Sequence, residues 1–341
     1  MVLPSIQALR FIATLLVLLF HMILMPTGFK GVDLFFVISG FVLYYNYHAR
    51  PASIRTQRRR YFIHRLTKIY LLYWTALIAR YLVEPFPFDM PLLSGILLLP
   101  GHHPILDISW SLSCELYFYG LLGITLFYIP VRWHKRLFAV AFIGTAGVKL
   151  FNTWCFSLRG SPIYFLAGPN LWEFLCGILA GYLFCRLAAA PDTASPDSTS
   201  PDSTSPGKKI PYLPLSLLLL VLFWLLPLLR SNSYYHFVYG SVALLLVTTT
   251  ALSEKQRPWK GPLKDWVLRL GNASYAIYLF GPVLVRILRS HIRELPWKIA
   301  AMLILIAFSL LINHFYEEPL LKTVRNFLMR RKNVSRKIES A

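Results

Sequence analysis

Acidic side chains are scarce: fifteen Asp and Glu stand against thirty-five Lys and Arg in 341 residues, for a net charge of +20. On a soluble domain such an excess would point to nucleic acid. Here the cations lie between apolar runs, which fits loops held at an anionic lipid surface. Cysteine is scarce too, and Cys114, Cys155, Cys176 and Cys185 all lie within or at the edge of apolar runs, none in a metal-type pair. Neither structural disulfides nor a zinc site is therefore expected. Also missing are a Gly-rich phosphate loop, a metal-spaced His/Cys cluster and a Gly-x-Ser-x-Gly elbow. The N-terminus lacks the basic region and small-residue cleavage site of a removable signal peptide, so its apolar run reads as a retained first helix. What the chain has in quantity is apolar surface. With 56% hydrophobic and 15% aromatic residues and a mean hydropathy of +0.53, it belongs with polytopic membrane proteins.

Apolar runs of spanning length fall near residues 5–25, 31–47, 66–84, 112–130, 136–156, 163–186, 211–229, 235–252, 270–288 and 297–316. They predict an all-α polytopic membrane protein of about ten transmembrane helices, with both termini on one side. If that side is the cytoplasm, its connections carry twenty-five Lys and Arg against seven outside, while Arg10, Arg80 and Lys149 fall within spans. The positive-inside rule supports this orientation, although Arg286, Arg289, Arg293 and Lys298 cluster on the outer side. The outer connection 85–109 contains a short apolar run, 92–99, expected to be re-entrant or interfacial. Residues 191–206 read PDTASPDSTSPDSTSP, too polar to bury anything. They predict a flexible cytoplasmic linker (187–210) between helices six and seven of a single membrane domain covering 1–341.

Arg10 and His21 are the ionisable groups of the first apolar run. Eleven residues at about 100° each return to nearly the same helix face, and the rise of about 1.5 Å per residue sets the pair roughly 16 Å apart along the axis. Ionisable groups inside a span are costly and usually face a wet interior that serves function. A snorkelling arginine with a satisfied histidine is the bland alternative. Asp33 opens the second run, within Gly31-Val32-Asp33-Leu34-Phe35-Phe36, after a short turn from His21. A carboxylate beside an imidazole would fix its tautomer as a general base needs, whereas an aspartate at a helix start can also serve the backbone N–H groups. Ser111 and Glu115, four apart in Trp110-Ser111-Leu112-Ser113-Cys114-Glu115, share a helix face and are expected to join His21 and Asp33 in the outer half of the bundle. Residues 58–70, RRRYFIHRLTKIY, form a cation-dense inner loop where Arg65 and Lys68 could grip either a phosphate-bearing coenzyme or anionic lipid headgroups. Tyr275, Tyr278 and the Tyr316-Glu317-Glu318-Pro319 stop of the tenth helix read as packing before function, and His102 and His103 are weaker still.

Arg10 with His21, GVDLFFVISGF at 31–41, the basic segment leading into KIYLLYW at 68–74, SWSLSCELYFY at 109–119, LWEFLCGILAGYL at 171–183, LGNASYAIYLF at 270–280 and YEEPLLK at 316–322 occur in order. Together they resemble the acyltransferase-3 family of integral-membrane bacterial O-acyltransferases over essentially the whole chain. The resemblance implies an acyl donor, usually acetyl-coenzyme A, taken from the cytoplasm, and a glycan or other hydroxyl-bearing acceptor. It also implies a multi-pass protein of the bacterial inner membrane that contacts lipids and neither nucleic acid nor a metal cofactor. Carried over by position, Arg10, His21, Asp33 and Glu115 are the catalytic candidates and Arg65, Lys68 and Arg10 the donor-binding ones. Ser111, Tyr117, Tyr275 and Tyr278 are candidates for positioning substrate. Lys68 stands where the family usually has arginine, Leu71 where it has proline, and Gly281 where its ninth-helix motif has histidine, which raises altered or lapsed activity. A lipid-linked glycan flippase or transporter and a purely structural membrane partner are the rival readings, since intramembrane charges also mark substrate pathways.

Overall fold

The computed structural model describes residues 3–49, 53–86, 90–99, 105–154, 168–189, 211–226, 235–288 and 294–339. Every regular element among them is helical. In chain order these are α1 (Pro4–His21), α2 (Gly31–His48), α3 (Ile54–Val83), α4 (Met90–Ile96), α5 (Ser109–Tyr128) and α6 (Val131–Trp154), then α7 (Pro169–Ala189), α8 (Tyr212–Leu225), α9 (Tyr235–Gln256), α10 (Gly261–Leu288), α11 (Leu295–Ile312) and α12 (Glu318–Glu339). Each apolar run read from the sequence overlaps one helix. Among the described residues, five stretches are long and apolar enough to cross a membrane: Pro4–His21, Gly28–His48, Pro169–Ala189, Tyr235–Gln256 and Leu295–Met329. The short apolar run after α3 forms α4. His102, His103, Cys155, Arg289, Arg293 and the repeat at 191–206 lie outside the described residues.

Two expectations about boundaries are corrected. The basic segment 58–70 is no loop but the first half of α3, which starts at Ile54 behind a Ser53 cap whose Oγ accepts from the Thr56 N–H at 3.4 Å. Arg, Gln and Lys are good helix formers, so hydropathy falls along this segment while helical geometry does not. Likewise Tyr316-Glu317-Glu318-Pro319 stops nothing. A π turn at Asn313–Glu317 carries α11 into α12, and Pro319 follows it directly, where the wider turn accommodates the proline ring and its missing N–H.

Helices α1 and α2 sit between two apolar clusters. Val17, Leu18, Phe36 and Leu43 face one, with α3, α5, α10 and α11; Ile6, Leu9, Val37 and Phe41 face the other, with α8 and α9. The tightest packing is α2 on α7. A Cβ on Gly177 would stand 2.0 Å from the Val37 carbonyl oxygen, and one on Gly40 would stand 2.2 Å from that of Phe174, so glycine at both positions lets the backbones touch. Pro4, His48 and the start of α3 mark the terminal face of the bundle, and His21 with the start of α2 marks the opposite face. There the outer cation Arg286 is matched rather than dissenting: its Nε donates to Glu84 Oε2 at 2.5 Å, and Arg80 Nη2 approaches the same oxygen at 3.1 Å.

Candidate active site

Three cavities follow one another through the bundle. The first, about 380 Å³, opens on the terminal face beneath α3 and α12, and its walls include Arg10, Arg60, His64, Arg65, Lys68 and Arg325. The second, about 90 Å³, lies deeper and holds Arg10, Ser39, Arg65, Lys68, Ser111, Glu115, Tyr119, Tyr275 and Tyr278. The third, about 430 Å³, lies toward the opposite face with His21, Asp33, Asp107, Trp110, His236 and Tyr278. Arg10, Val42, Arg65 and Lys68 line both the first and second, and Val32 with Tyr278 lines both the second and third. Shared walls make the three a series that runs the length of the α1 stripe from Arg10 to His21.

The first cavity is polar because helix ends meet there. Arg10 Nη1 donates to Gln7 Oε1 at 3.2 Å and Gln7 Nε2 to Asn272 Oδ1 at 3.3 Å. Asn313 Nδ2 donates to Glu317 Oε2 at 2.8 Å and to the Asn272 carbonyl at 3.4 Å. The wide π turn presents both Asn313 and Glu317 to this cavity, the placement such turns often have at functional sites. On the far wall Arg325 of α12 reaches α3, its Nε donating to Thr67 Oγ1 and its Nη2 to the His64 carbonyl, both at 3.3 Å. Arg59 donates to the Leu328 carbonyl and ties the same two helices.

In the second cavity Ser39 Oγ donates to Glu115 Oε1 at 2.7 Å, and Tyr119 OH donates to Ser39 Oγ at 3.3 Å. The Arg65 guanidinium lies 5.4 Å from the Tyr119 ring centroid. Glu115 therefore belongs with Arg10, Arg65 and Lys68 in the middle of the bundle, not with His21 and Asp33 in its outer half. The reason is length: α5 begins at Ser109, so Glu115 lies nearly two turns in, about 9 Å below the helix start. Ser111 does share the Glu115 face, and its Oγ lies 2.6 Å from Tyr278 OH. Tyr275 OH donates to the Ile69 carbonyl at 3.0 Å. Tyr117 is not brought to the site. It packs beside Phe118, ring centroids 5.8 Å apart, and lines none of the three cavities.

In the third cavity His21 is the last residue of α1. The chain turns at once in a Schellman cap, Leu24 N–H to the Leu19 carbonyl at 2.9 Å and Ile23 N–H to that of Phe20 at 3.0 Å. Ile23 takes the left-handed position usually given to glycine, with φ of 57°, a strained conformation for a β-branched residue. That reversal brings Asp33 into the same cavity, but Asp33 does not hydrogen-bond to His21. It turns toward Lys30 at 3.9 Å and shares a buried cluster with Glu173 and His236, while the His21 ring packs edge-on against Phe20 at 5.4 Å. The expected Asp33–His21 dyad is thus replaced by a shared cavity. Reading ionisable groups within apolar runs would have found Glu173 by the rule that found Arg10. Ser39, Gln7, Asn272 and Asn313 carry no charge and gave no comparable signal.

The profile of a family described as "Acyltransferase domain" matches residues 3–314. A curated relative from Komagataeibacter xylinus, named "Putative membrane-bound transacylase BcsY", is 28% identical over 204 residues, covering 52% of this chain. The match spans about half of that relative's length, 51%. No solved structure matches the chain.

Proposed function

Because the chain belongs to this membrane acyltransferase family, we propose that it moves an acetyl group from cytoplasmic acetyl-coenzyme A to a hydroxyl of a glycan such as a surface polysaccharide, in the bacterial inner membrane. The single observation that carries the reading is the series of cavities from a basic mouth, past Arg10 and Glu115, to His21. The terminal face, which holds most of the cations, is the cytoplasmic one.

Arg65 and Lys68, joined by Arg60 and Arg325, grip the coenzyme's phosphates in the first cavity, where charge-assisted bonds are strongest. The pantetheine arm then threads the second. Arg10 offers donors and Glu115 an acceptor there, which suits the amides of that arm, and Tyr278 with Ser111 lines the passage onward. The thioester emerges beside His21. A neutral imidazole takes the proton of the acceptor hydroxyl as its oxygen attacks the carbonyl carbon. The tetrahedral oxyanion collapses with cleavage of the C–S bond, and the thiolate leaves with the proton held by His21. Asp33 acts on this step through the walls of the third cavity, not by orienting the imidazole directly.

Inside-out membrane vesicles supplied with radiolabelled acetyl-coenzyme A test this. Wild type transfers label to membrane glycan; His21→Ala at matched expression loses transfer by at least about a hundredfold, the usual contribution of a general base, and Glu115→Ala is also impaired. Equal labelling by wild type and His21→Ala removes the assigned base. No transfer from any acyl donor in acceptor-replete vesicles removes the acyltransferase assignment and leaves the path as a conduit.

A further inference from the structure

Asp33 and His236, on the wall of the third cavity, belong to a buried cluster for which the transfer scheme gives no direct role. Asp33 of α2, Glu173 of α7 and His236 of α9 each bring a ligand atom within 4.8 Å of the others, and the three residues are 6, 0 and 8% exposed. His236 Nδ1 lies 2.6 Å from Glu173 Oε1. Asp33 Oδ2 and Glu173 Oε2 are buried and have no hydrogen-bond partner. Two uncompensated carboxylate oxygens in an apolar interior are costly unless a cation or donor meets them. Lys30 does not. Its Nζ stands 3.9 Å from Asp33 Oδ2, past hydrogen-bond length, because the ammonium is held over the Tyr235 ring at 3.2 Å with Tyr239 at 4.7 Å.

We propose that Asp33, Glu173 and His236 bind a divalent transition-metal ion of the zinc class, with an open coordination position facing the cavity that His21 shares. Histidine and carboxylates are ligands that zinc accepts, and three protein ligands leave the fourth position open as in catalytic zinc sites, whereas magnesium and calcium favour oxygen alone. A four-coordinate zinc shell sets its ligand atoms roughly 3.3 Å apart, so the three would draw closer on binding, and turning Glu173 away frees His236 Nδ1. The role of the ion rests on the transfer reading above. An acceptor hydroxyl bound to it would lose its proton to His21 more readily, the oxygen would form its bond to the thioester carbon, and the C–S bond would break with the proton passing to the thiolate. The ligands come from three helices, Asp33 and Glu173 standing 140 positions apart, so no spacing in the sequence announces them.

The test is metal content, read without any acyl assay, so failure of the transfer reading leaves it standing. Intact protein purified in mild detergent from zinc-supplemented cells, without chelator, is analysed by mass spectrometry for metals, then stripped and reloaded with cobalt. The expected result is about one zinc per chain in wild type, with visible cobalt bands of a low-coordinate site, and loss of both in Asp33→Asn and in the near-isosteric Glu173→Gln. Lys30→Met should keep or tighten the zinc, since it removes a like charge, whereas a lysine acting as the sole counter-ion would make that variant unstable with no gain in metal. Wild type that takes up neither zinc nor cobalt, or both ligand variants holding zinc as wild type does, overturns the proposal.

Discussion

At Gly281, where the resembling family carries histidine, an added Cβ would meet Leu18 Cδ1 at 3.3 Å and Leu305 Cδ2 at 3.7 Å, and the position lines none of the three cavities. The missing imidazole is therefore missing from a leucine contact between α1, α10 and α11. Restoring it would overfill that contact and bury a ring nitrogen among methyl groups. Gly281→His should lower stability by about 1–3 kcal/mol, the usual range for overpacking, without raising acyl transfer. Thermal unfolding followed by intrinsic fluorescence, beside the vesicle assay, checks both halves; a variant that is more active and no less stable would restore the position to the catalytic set.

At the scale of elements, the π turn is the device that joins an apolar helix to a donor-binding surface. The extra residue in the turn shifts the phase of α12 against α11, so that Asn313 and Glu317 pair at the first cavity while Arg325 faces α3. Deleting Phe315, 72% exposed, closes the turn to ordinary α geometry and rotates Glu317 relative to α12. The expected result is a KM for acetyl-coenzyme A raised roughly tenfold, equivalent to about 1.4 kcal/mol, with kcat little changed; an unchanged KM would separate the turn from donor binding. This element also marks where reading the sequence stops. Helix existence was legible because apolar runs have few competing explanations, and Arg10, His21, Arg65 and Lys68, named from the sequence, line the cavities. The π turn was not legible, since Glu-Glu-Pro resembles a helix stop, and neither was the helical start of α3, since hydropathy registers its charge and not its propensity. The depth of Glu115 and the turning of Asp33 toward Glu173 and His236 were hidden for another reason: both depend on which helices are neighbours, and sequence order does not set that.

For the whole molecule, the question is what holds the opposite face together while an acyl group crosses beneath it. Glu84, exposed just beyond α3, accepts from Arg286 of α10 and lies near Arg80, so it bridges the early and late helices at that end. The hydrogen bond from Arg286 holds the Glu84 carboxyl below its ordinary value, with burial opposing and the charges of Arg286 and Arg80 assisting. A carboxyl whose folded value is depressed stabilises fully above its unfolded value, and that stability is lost as pH falls through the folded one. The pair is exposed and screened, so the effect is small and salt-sensitive. Stability should therefore fall more for wild type than for Glu84→Gln as pH drops from neutrality to below the ordinary glutamate range, and the difference should shrink in high salt. Thermal midpoints of both proteins across that window decide the matter. Parallel curves would mean that the opposite face is held by α1, α10 and α11 packing alone, and that Arg286 is matched only electrostatically to an outer face poor in acid.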